Sequence, residues 1–322
     1  MPVTSEQAAL FQETFEHIVN NVGQAILGKR HVIELAVTCL LSEGHLLLED
    51  YPGTGKTQLA RALANSIVGS NSRIQFTPDL LPSDVTGVQI YDQATGAFQF
   101  IPGPIFHSIV LADEINRASP KTQSALLEVM EEAHVTVDGV PHPVGKPFMV
   151  IATQNPIEQA GTYPLPEAQL DRFLMMTSLD YPDHHSMVAL LQDAARRDRA
   201  ADIQPAIVGG AIEPLSRLAD RVDVRVEVLE YVSRIAEASR AHKHVKLGVS
   251  ARGCLAYVRC AKTWALAHGR AWVRPDDIQA LRKPLLTHRV LLTPDAQFDG
   301  VTIDAVLDDI FSAVQPPLER AA

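Results

Sequence analysis

The chain has 322 residues, 46% hydrophobic and 20% charged, enough for two modest domains that each bury a core of their own. Its formal net charge of −10 is uneven: residues 1–180 hold 9 Lys and Arg against 20 Asp and Glu, and residues 181–322 hold 19 against 18. Neither half has the basic surplus that phosphate-backbone contacts to a nucleic acid require, and no tract is of low complexity.

Residues 1–27 predict a helix, because Phe11, Phe15, Ile18, Val19 and Val22 recur at helical spacing until Gly28-Lys29 breaks the pattern. The opening Met1-Pro2-Val3-Thr4-Ser5-Glu6 lacks the basic stretch of a secretory leader. The apolar run from Val32 to Leu48 is broken by Glu34, Ser42, Glu43, Gly44 and His45. Neither a signal peptide nor a membrane span is expected, which makes a cytoplasmic protein the default.

Leu46-Leu47-Leu48-Glu49 predicts an apolar strand running into Asp50-Tyr51-Pro52-Gly53-Thr54-Gly55-Lys56-Thr57, a phosphate-binding loop. Gly53 and Gly55 free the backbone to turn several N–H groups toward phosphate oxygens. Lys56 would reach the β- and γ-phosphates, and Thr57 would offer its hydroxyl to Mg²⁺. Pro52, Gly53, Thr54, Gly55, Lys56, Thr57 and Gln58 are therefore the candidate residues for binding ATP with Mg²⁺. The following helix, Gln58 to Ile67, would set its positive end under the phosphates. Asp50 departs from the strict G-x-x-x-x-G-K-[ST] pattern, standing where the first Gly belongs.

Further apolar strands are expected near 73–76, 109–112 and 148–152, with helices near 57–68 and 119–132; this βαβ rhythm predicts a parallel sheet flanked by helices. Ser119-Pro120 is a good start for the second helix. Ser108-Ile109-Val110-Leu111-Ala112-Asp113-Glu114 ends a strand on two carboxylates. Downstream of a phosphate loop, Asp113 would hold Mg²⁺ through its water shell, and Glu114 would orient and deprotonate the attacking water. Read without that loop, the pair could as well end a strand or cap a helix. Two hairpins interrupt the rhythm: residues 88–92 with 97–101 around Ala94-Thr95-Gly96, and residues 135–137 with Val140 onward around Asp138-Gly139.

From Asp180-Tyr181-Pro182-Asp183 the strands largely stop, and helices are expected near 184–198, 212–221, 226–242, 251–268 and 275–290. Gly209-Gly210 and Lys246-Leu247-Gly248 are the breaks. The organisation is thus an α/β domain over 1–180 and a helical domain over 181–322. Residues 291–322 fit two roles, packing on the helical domain or reaching a neighbour. Cys39, Cys254 and Cys260 lack metal-ligand spacing and read as buried free thiols, and His184-His185 reads as surface.

Three long strings carry a resemblance. They are Arg73-Ile74-Gln75-Phe76-Thr77-Pro78-Asp79-Leu80-Leu81-Pro82-Ser83-Asp84-Val85-Thr86-Gly87 and Ala112-Asp113-Glu114-Ile115-Asn116-Arg117-Ala118-Ser119-Pro120-Lys121-Thr122-Gln123. The third is Ala152-Thr153-Gln154-Asn155-Pro156-Ile157-Glu158, continued by Gly161-Thr162-Tyr163-Pro164-Leu165-Pro166-Glu167-Ala168-Gln169-Leu170-Asp171-Arg172-Phe173. With them the chain resembles the MoxR family of AAA+ ATPases over roughly residues 20–318. The resemblance implies an AAA+ P-loop sheet flanked by helices, followed by a smaller all-α lid.

The resemblance also implies roles. Asn155 resembles the sensor-1 residue that positions the hydrolytic water, where an Asn-Pro turn at a strand end is the plain alternative. Arg172 resembles the arginine finger delivered into a neighbouring subunit's site; its alternative is a salt bridge with Asp171 or Glu167. Arg252, in Ser-Ala-Arg where the family has Ser-Pro-Arg, matches the sensor-2 arginine of the lid; its alternative is an exposed helix cation. An acidic residue at the position of Asp50 is common in the family. The two hairpins resemble the helix-2 insert and the pre-sensor-1 hairpin, which project toward a ring's pore.

The implied function is an ATP-hydrolysing ring, a hexamer, that remodels or activates a protein client such as a metalloenzyme under maturation. A partner with a von Willebrand factor A domain is implied as well. A nucleic-acid translocase shares the hairpins, yet no Lys or Arg occurs in residues 88–101 or 135–144. A nucleotide-dependent scaffold would have lost one of Glu114, Asn155 or Arg172. A chelatase motor subunit shares the architecture and would need a partner chelatase.

Overall fold

The computed structural model describes residues 2–51, 53–94, 96–155, 162–193, 195–196, 198–207 and 210–317. Pro52 of the phosphate loop, Thr95 of the first hairpin turn, Pro156-Ile157-Glu158 and Gly161 of the third string, Gly209 and residues 318–322 lie outside them.

Helix α1 (Ser5–Gly23) opens on Thr4, whose hydroxyl accepts from the Gln7 N–H while the Gln7 side chain accepts from the Thr4 N–H. It buries Phe11, Phe15, Ile18 and Val22, the stripe that predicted it. Helix α2 (Arg30–Leu41) follows and is buried over most of its length. Then come β1 (Leu46–Glu49), α3 (Lys56–Ser66), β2 (Asn71–Gln75), α4 (Pro82–Thr86) and the hairpin β3 (Gly87–Asp92) with β4 (Ala97–Pro102). Gly87 sits at the hairpin base with φ 101°, where an added Cβ would lie 2.3 Å from the Ile101 carbonyl oxygen, so only glycine fits.

Strand β5 (Ile109–Asp113) leads through a 3₁₀ turn (Ile115–Arg117) to α5 (Pro120–Glu132), capped by the Ser119 hydroxyl. The second hairpin, β6 (His134–Val137) with β7 (Val140–Pro143), precedes β8 (Met149–Gln154), the short α6 (Glu167–Leu170) and β9 (Met175–Thr177).

The main sheet runs β2-β5-β8-β1-β9, and every neighbouring pair is parallel. Four of its strands match the apolar runs; β9 was not anticipated, being only three residues long at the sheet edge. Alternation along the strands divides the side chains between two faces. Leu46, Leu48, Ile109, Leu111, Met149 and Ile151 pack with α1, α2 and α3, whereas Leu47, Val110, Ala112, Val150 and Ala152 pack with α5.

The remaining elements are α7 (His184–Gln192), α8 (Ile212–Ala219), α9 (Val226–Ala241), β10 (Val245–Leu247), α10 (Ala251–Ala267), α11 (Pro275–Ala280), α12 (Arg282–Leu286), β11 (Leu291–Leu292), α13 (Pro294–Phe298) and α14 (Ile303–Ala313). Three expectations change here. The helix expected over 275–290 is two short helices parted at Leu281, and the one expected over 184–198 stops at Gln192. Strands also continue, since β10 and β11 form an antiparallel pair. Residues 303–313 pack on the helical half: α14 buries Val306, Leu307, Ile310 and Phe311 and lies against α9 and α12.

Cys39 and Cys260 are buried free thiols, but Cys254 is only partly covered, packed against the edge of the core. His184 and His185 are exposed. Among the described residues no helix is long and apolar enough to cross a membrane.

Candidate functional site

A parallel sheet points the carboxyl ends of its strands the same way, and loops leaving that edge form ligand sites. The register sets them side by side: Gln75 of β2 is opposite Asp113 of β5, Ala112 opposite Ala152 of β8, and Glu49 of β1 opposite Gln154. The phosphate loop, the Asp113-Glu114 pair and Asn155 therefore leave one edge together.

Asp50, at the position of the missing glycine, anchors the loop through its side chain. Its carboxylate is buried and accepts from the Tyr51 N–H at 2.9 Å and the Leu179 N–H at 2.7 Å, tying the loop to the segment after β9. Gly53 and Gly55 have φ of 84° and 102°, the left-handed region that lets successive N–H groups turn inward. Lys56, the first residue of α3, is buried and donates to the carbonyl oxygens of Asp50 at 3.4 Å and Tyr51 at 3.2 Å. Its ammonium is thus held within the loop where an anion would be met. Thr54 donates its hydroxyl to the Tyr51 carbonyl at 3.3 Å. Gln58 accepts from the Ala200 N–H with its side-chain oxygen at 3.0 Å, a contact away from the loop.

Asp113 and Glu114 are coupled through a residue that sequence reasoning did not single out. Thr153, fully buried in β8, donates its hydroxyl to Asp113 Oδ1 at 2.6 Å and accepts from the Glu114 N–H at 2.8 Å. Asp113 Oδ2 pairs with Arg73 at 2.7 Å. Glu114 has φ 57° and ψ 49°, a left-handed backbone that costs a non-glycine residue about 1–3 kcal/mol and is held by its surroundings. Its Oε2 accepts from Gln75 Nε2 at 2.7 Å and Arg117 Nη1 at 2.8 Å. Asn155 follows β8 and is buried; the preceding Gln154 carbonyl accepts from the Asp50 N–H at 3.0 Å, which keeps this corner against the phosphate loop. The donor set suits Mg²⁺: a buried carboxylate and a threonine hydroxyl are hard oxygen ligands.

Arg172 and Arg252 lie at the other edge. Arg172 precedes β9 and Arg252 begins α10; both pair with Glu131 at the end of α5, Arg172 Nη2 to Oε2 and Arg252 Nη1 to Oε1, each at 3.1 Å. The ion pair considered for Arg172, with Asp171 or Glu167, is not the one that forms. Asp171 instead binds Arg289 Nε at 2.7 Å and accepts from the Ser250 hydroxyl at 3.2 Å. Arg289 is buried and also donates to the carbonyls of Phe173 at 2.7 Å and Leu174 at 3.0 Å, so the turn after α12 clamps the segment carrying Arg172.

Glu43, His45, Glu131, Arg172, Arg252 and Arg289 line a cleft of about 340 Å³ at this edge. His45 stands just before β1. Its Nδ1 accepts from the Val150 N–H at 2.9 Å, which leaves Nε2–H to donate to the Met130 carbonyl at 3.0 Å. Burial lowers its pKa to about 4. With the four residues of β1 between them, His45 and Asp50 at the start of the phosphate loop are five steps apart, about 16 Å at roughly 3.3 Å per residue.

Thr153 and Gln75 lie inside the quoted strings and Arg117 beside Glu114, so the signal for them was present. Glu131 carried none, since its partners are distant in sequence.

Comparison with known proteins gives a consistent picture. Residues 45–175 match the ATPase family associated with various cellular activities (AAA), and residues 237–310 match the AAA lid domain. The chain is 48% identical over 304 residues to the uncharacterized protein YeaC of Bacillus subtilis, covering 94% of this chain and 95% of that one. It is 37% identical over 330 residues to Chaperone MoxR1 of Mycobacterium tuberculosis, covering 99% and 87%. It is 32% identical over 323 residues to Protein MoxR of Paracoccus denitrificans, covering 91% and 93%. A crystal structure of a proposed ATPase from Cytophaga hutchinsonii superposes with a TM-score of 0.90 at 33% identity, covering 97% of this chain and 98% of that one.

Proposed function

The chain belongs to the MoxR family of AAA+ ATPases, and on that footing we propose that it acts as a ring of six copies with each ATP hydrolysed between two of them. The carrying observation is the division of the sheet: Lys56, Asp113, Glu114 and Asn155 leave its carboxyl edge, while Arg172 and Arg252 gather at the amino edge around Glu131. One copy cannot bring both sets to the same phosphate; a neighbour can. In this reading residues 1–180 are the nucleotide-binding body and 181–322 the lid.

ATP hydrolysis is the chemistry of the family. Lys56 exchanges the Asp50 and Tyr51 carbonyls for phosphate oxygens, a stronger, charge-assisted partner. Thr57 and Asp113 would hold Mg²⁺, which when bound supplies positive charge to the β- and γ-phosphate oxygens. Glu114 takes a proton from the attacking water, with Gln75 and Arg117 holding its Oε2 so that Oε1 faces the transfer. Asn155 orients that water. The water oxygen bonds to the γ-phosphorus, the bond to the β,γ-bridging oxygen breaks, and ADP leaves with the electron pair. Arg172 and Arg252 of the neighbouring copy neutralise the charge that spreads over the transferring group.

The outcome of turnover is remodelling or activation of a protein client, together with a von Willebrand factor A domain partner, in the cytoplasm. Supporting this are the relatives named as chaperone and MoxR and the apolar exterior of the first hairpin, where Ile90, Tyr91 and Phe98 are exposed. The absence of Lys and Arg from both hairpins disfavours a nucleic-acid client.

Mixing tests the shared site. Arg172→Ala alone should bind ATP at near-normal affinity and lose about 10³-fold in turnover. Lys56→Ala alone should fail to bind. Combined in one preparation, they should regain part of the activity, because some interfaces then pair an intact Lys56 edge with an intact Arg172 edge. No recovery in exchanged rings would assign Arg172 to its own subunit's site and end this reading.

A further inference from the structure

Glu131 divides one carboxylate between two guanidiniums: Oε2 with Arg172 and Oε1 with Arg252, each at 3.1 Å. The three side chains come from three places: the last turn of α5, the turn after α6, and the first turn of α10 in the helical half. Two guanidiniums converging on one anionic group present the donor arrangement that suits a phosphate oxyanion. The other carboxylates of the cleft are engaged elsewhere, Asp171 by Arg289 and Ser250 and Glu43 by Lys146 at 3.5 Å. Glu131 therefore stands where the charge of a neighbour's nucleotide would stand.

We propose that Glu131 is a positioning residue that parks Arg172 and Arg252 in the separate subunit and surrenders them to the terminal phosphate of ATP bound on the adjoining copy. This inference rests on the inter-subunit role given to the two arginines above. The parking is weak by construction. The side chains of Glu131, Arg172 and Arg252 are 38%, 28% and 49% exposed, so water screens both pairs. A terminal phosphate carries more charge than one carboxylate and offers three oxygens, so it wins the exchange once the copies meet. The cost of release falls on assembly of the complete site, not on the chemical step.

That distinction makes the inference testable. Turnover is measured against subunit concentration at saturating MgATP for the unaltered chain, Glu131→Gln and Glu131→Asp. Glu131→Gln keeps the shape and removes the charge, and should lower the concentration giving half-maximal turnover about three- to tenfold, the factor that two partly exposed pairs supply. Glu131→Asp keeps the charge on a shorter stem and should fall between the two. A residue that merely props up the fold would move the half-maximal concentration upward, or leave it in place while the saturating rate falls; either result overturns the proposal. Arg172→Ala in the same series separates the two levels. If it is inactive while Glu131→Gln leaves the half-maximal concentration in place, the role of Glu131 alone fails. If Arg172→Ala turns over normally, the inter-subunit reading fails and Glu131 has nothing to park.

Discussion

Replacing Thr153 by valine probes how the two acidic residues are held. The side chain is fully buried, and one hydroxyl serves both neighbours: it donates to Asp113 Oδ1 at 2.6 Å and accepts the Glu114 N–H at 2.8 Å. Valine has the same branched shape, so Thr153→Val opens no cavity and isolates the loss of the two bonds. A hydrogen bond to a charged group is worth about 1.5–3 kcal/mol, and a buried N–H left without a partner costs about 1–3 kcal/mol. Arg73 still holds the other oxygen of Asp113, which softens the loss. The expected destabilisation is about 3 kcal/mol. Thr153→Ser keeps the hydroxyl and loses one buried methyl, for about 1 kcal/mol.

Urea unfolding followed by circular dichroism measures both variants, with ATP turnover measured in parallel. The same bond anchors the left-handed backbone of Glu114, whose φ is 57°. On the role proposed for Glu114, losing that anchor displaces the general base, and turnover in Thr153→Val should fall at least about tenfold, the rate equivalent of 1.4 kcal/mol. Thr153→Ser should stay close to the unaltered chain. A valine variant within about 0.5 kcal/mol of the parent and normal in turnover would refute the reasoning, because surface-like tolerance is incompatible with a buried shared hydroxyl.

Glu114→Gln should retain ATP and lose about 10²- to 10⁴-fold in turnover, the range for a lost general base; near-normal turnover in a coupled phosphate-release assay would remove Glu114 from that role. Stability should fall in mild acid. Burial lowers the pKa of His45 from 6.5 to about 4 and that of His288 well below 6.5, so both are neutral in the folded chain. Unfolding lets them take up protons near pH 6.5, so their contribution is complete above that pH and is lost as pH falls toward the folded value. His45 alone should forfeit about 2 kcal/mol between pH 6.5 and 5, at about 1.4 kcal/mol per unit. Urea midpoints at pH 7 and 5 for the parent and His45→Asn check this, and an equal pH slope in the two would count against it.

The parts of the fold that were legible are those written in contiguous residues. Apolar runs that end in Asp50, Asp113 and Asn155 revealed β1, β5 and β8. Asp138-Gly139 revealed its hairpin. Strand β9 was hidden because three residues, Met175–Thr177, carry no period of their own and become a strand only by pairing with Leu46–Leu48 of β1. The helix expected over 275–290 failed for a related reason, since Ile278, Leu281 and Leu285 keep a helical spacing straight through Leu281, where the chain turns to lay α12 beside β9. The way Asp50 works could not be read from the loop, because it depends on the Leu179 N–H arriving from the segment after β9. Glu131 was invisible because its meaning is set entirely by Arg172 and Arg252, residues brought to it by the sheet and the helical half.

The placement of the two half-sites also constrains how copies join. A parallel sheet is polar, so its two edges differ, and the residues proposed to act on one ATP are shared between unlike surfaces of successive copies. A contact between unlike surfaces is heterologous, and it either closes into a ring or continues as a filament. On the proposed reading, a closed ring has as many complete sites as copies, whereas an open string always lacks one, with a phosphate loop unmatched at one end and the Arg172–Glu131–Arg252 cluster unmatched at the other. The Glu131 carboxylate gives that unmatched cluster a partner of its own, which keeps the two arginines from repelling each other until a neighbour arrives.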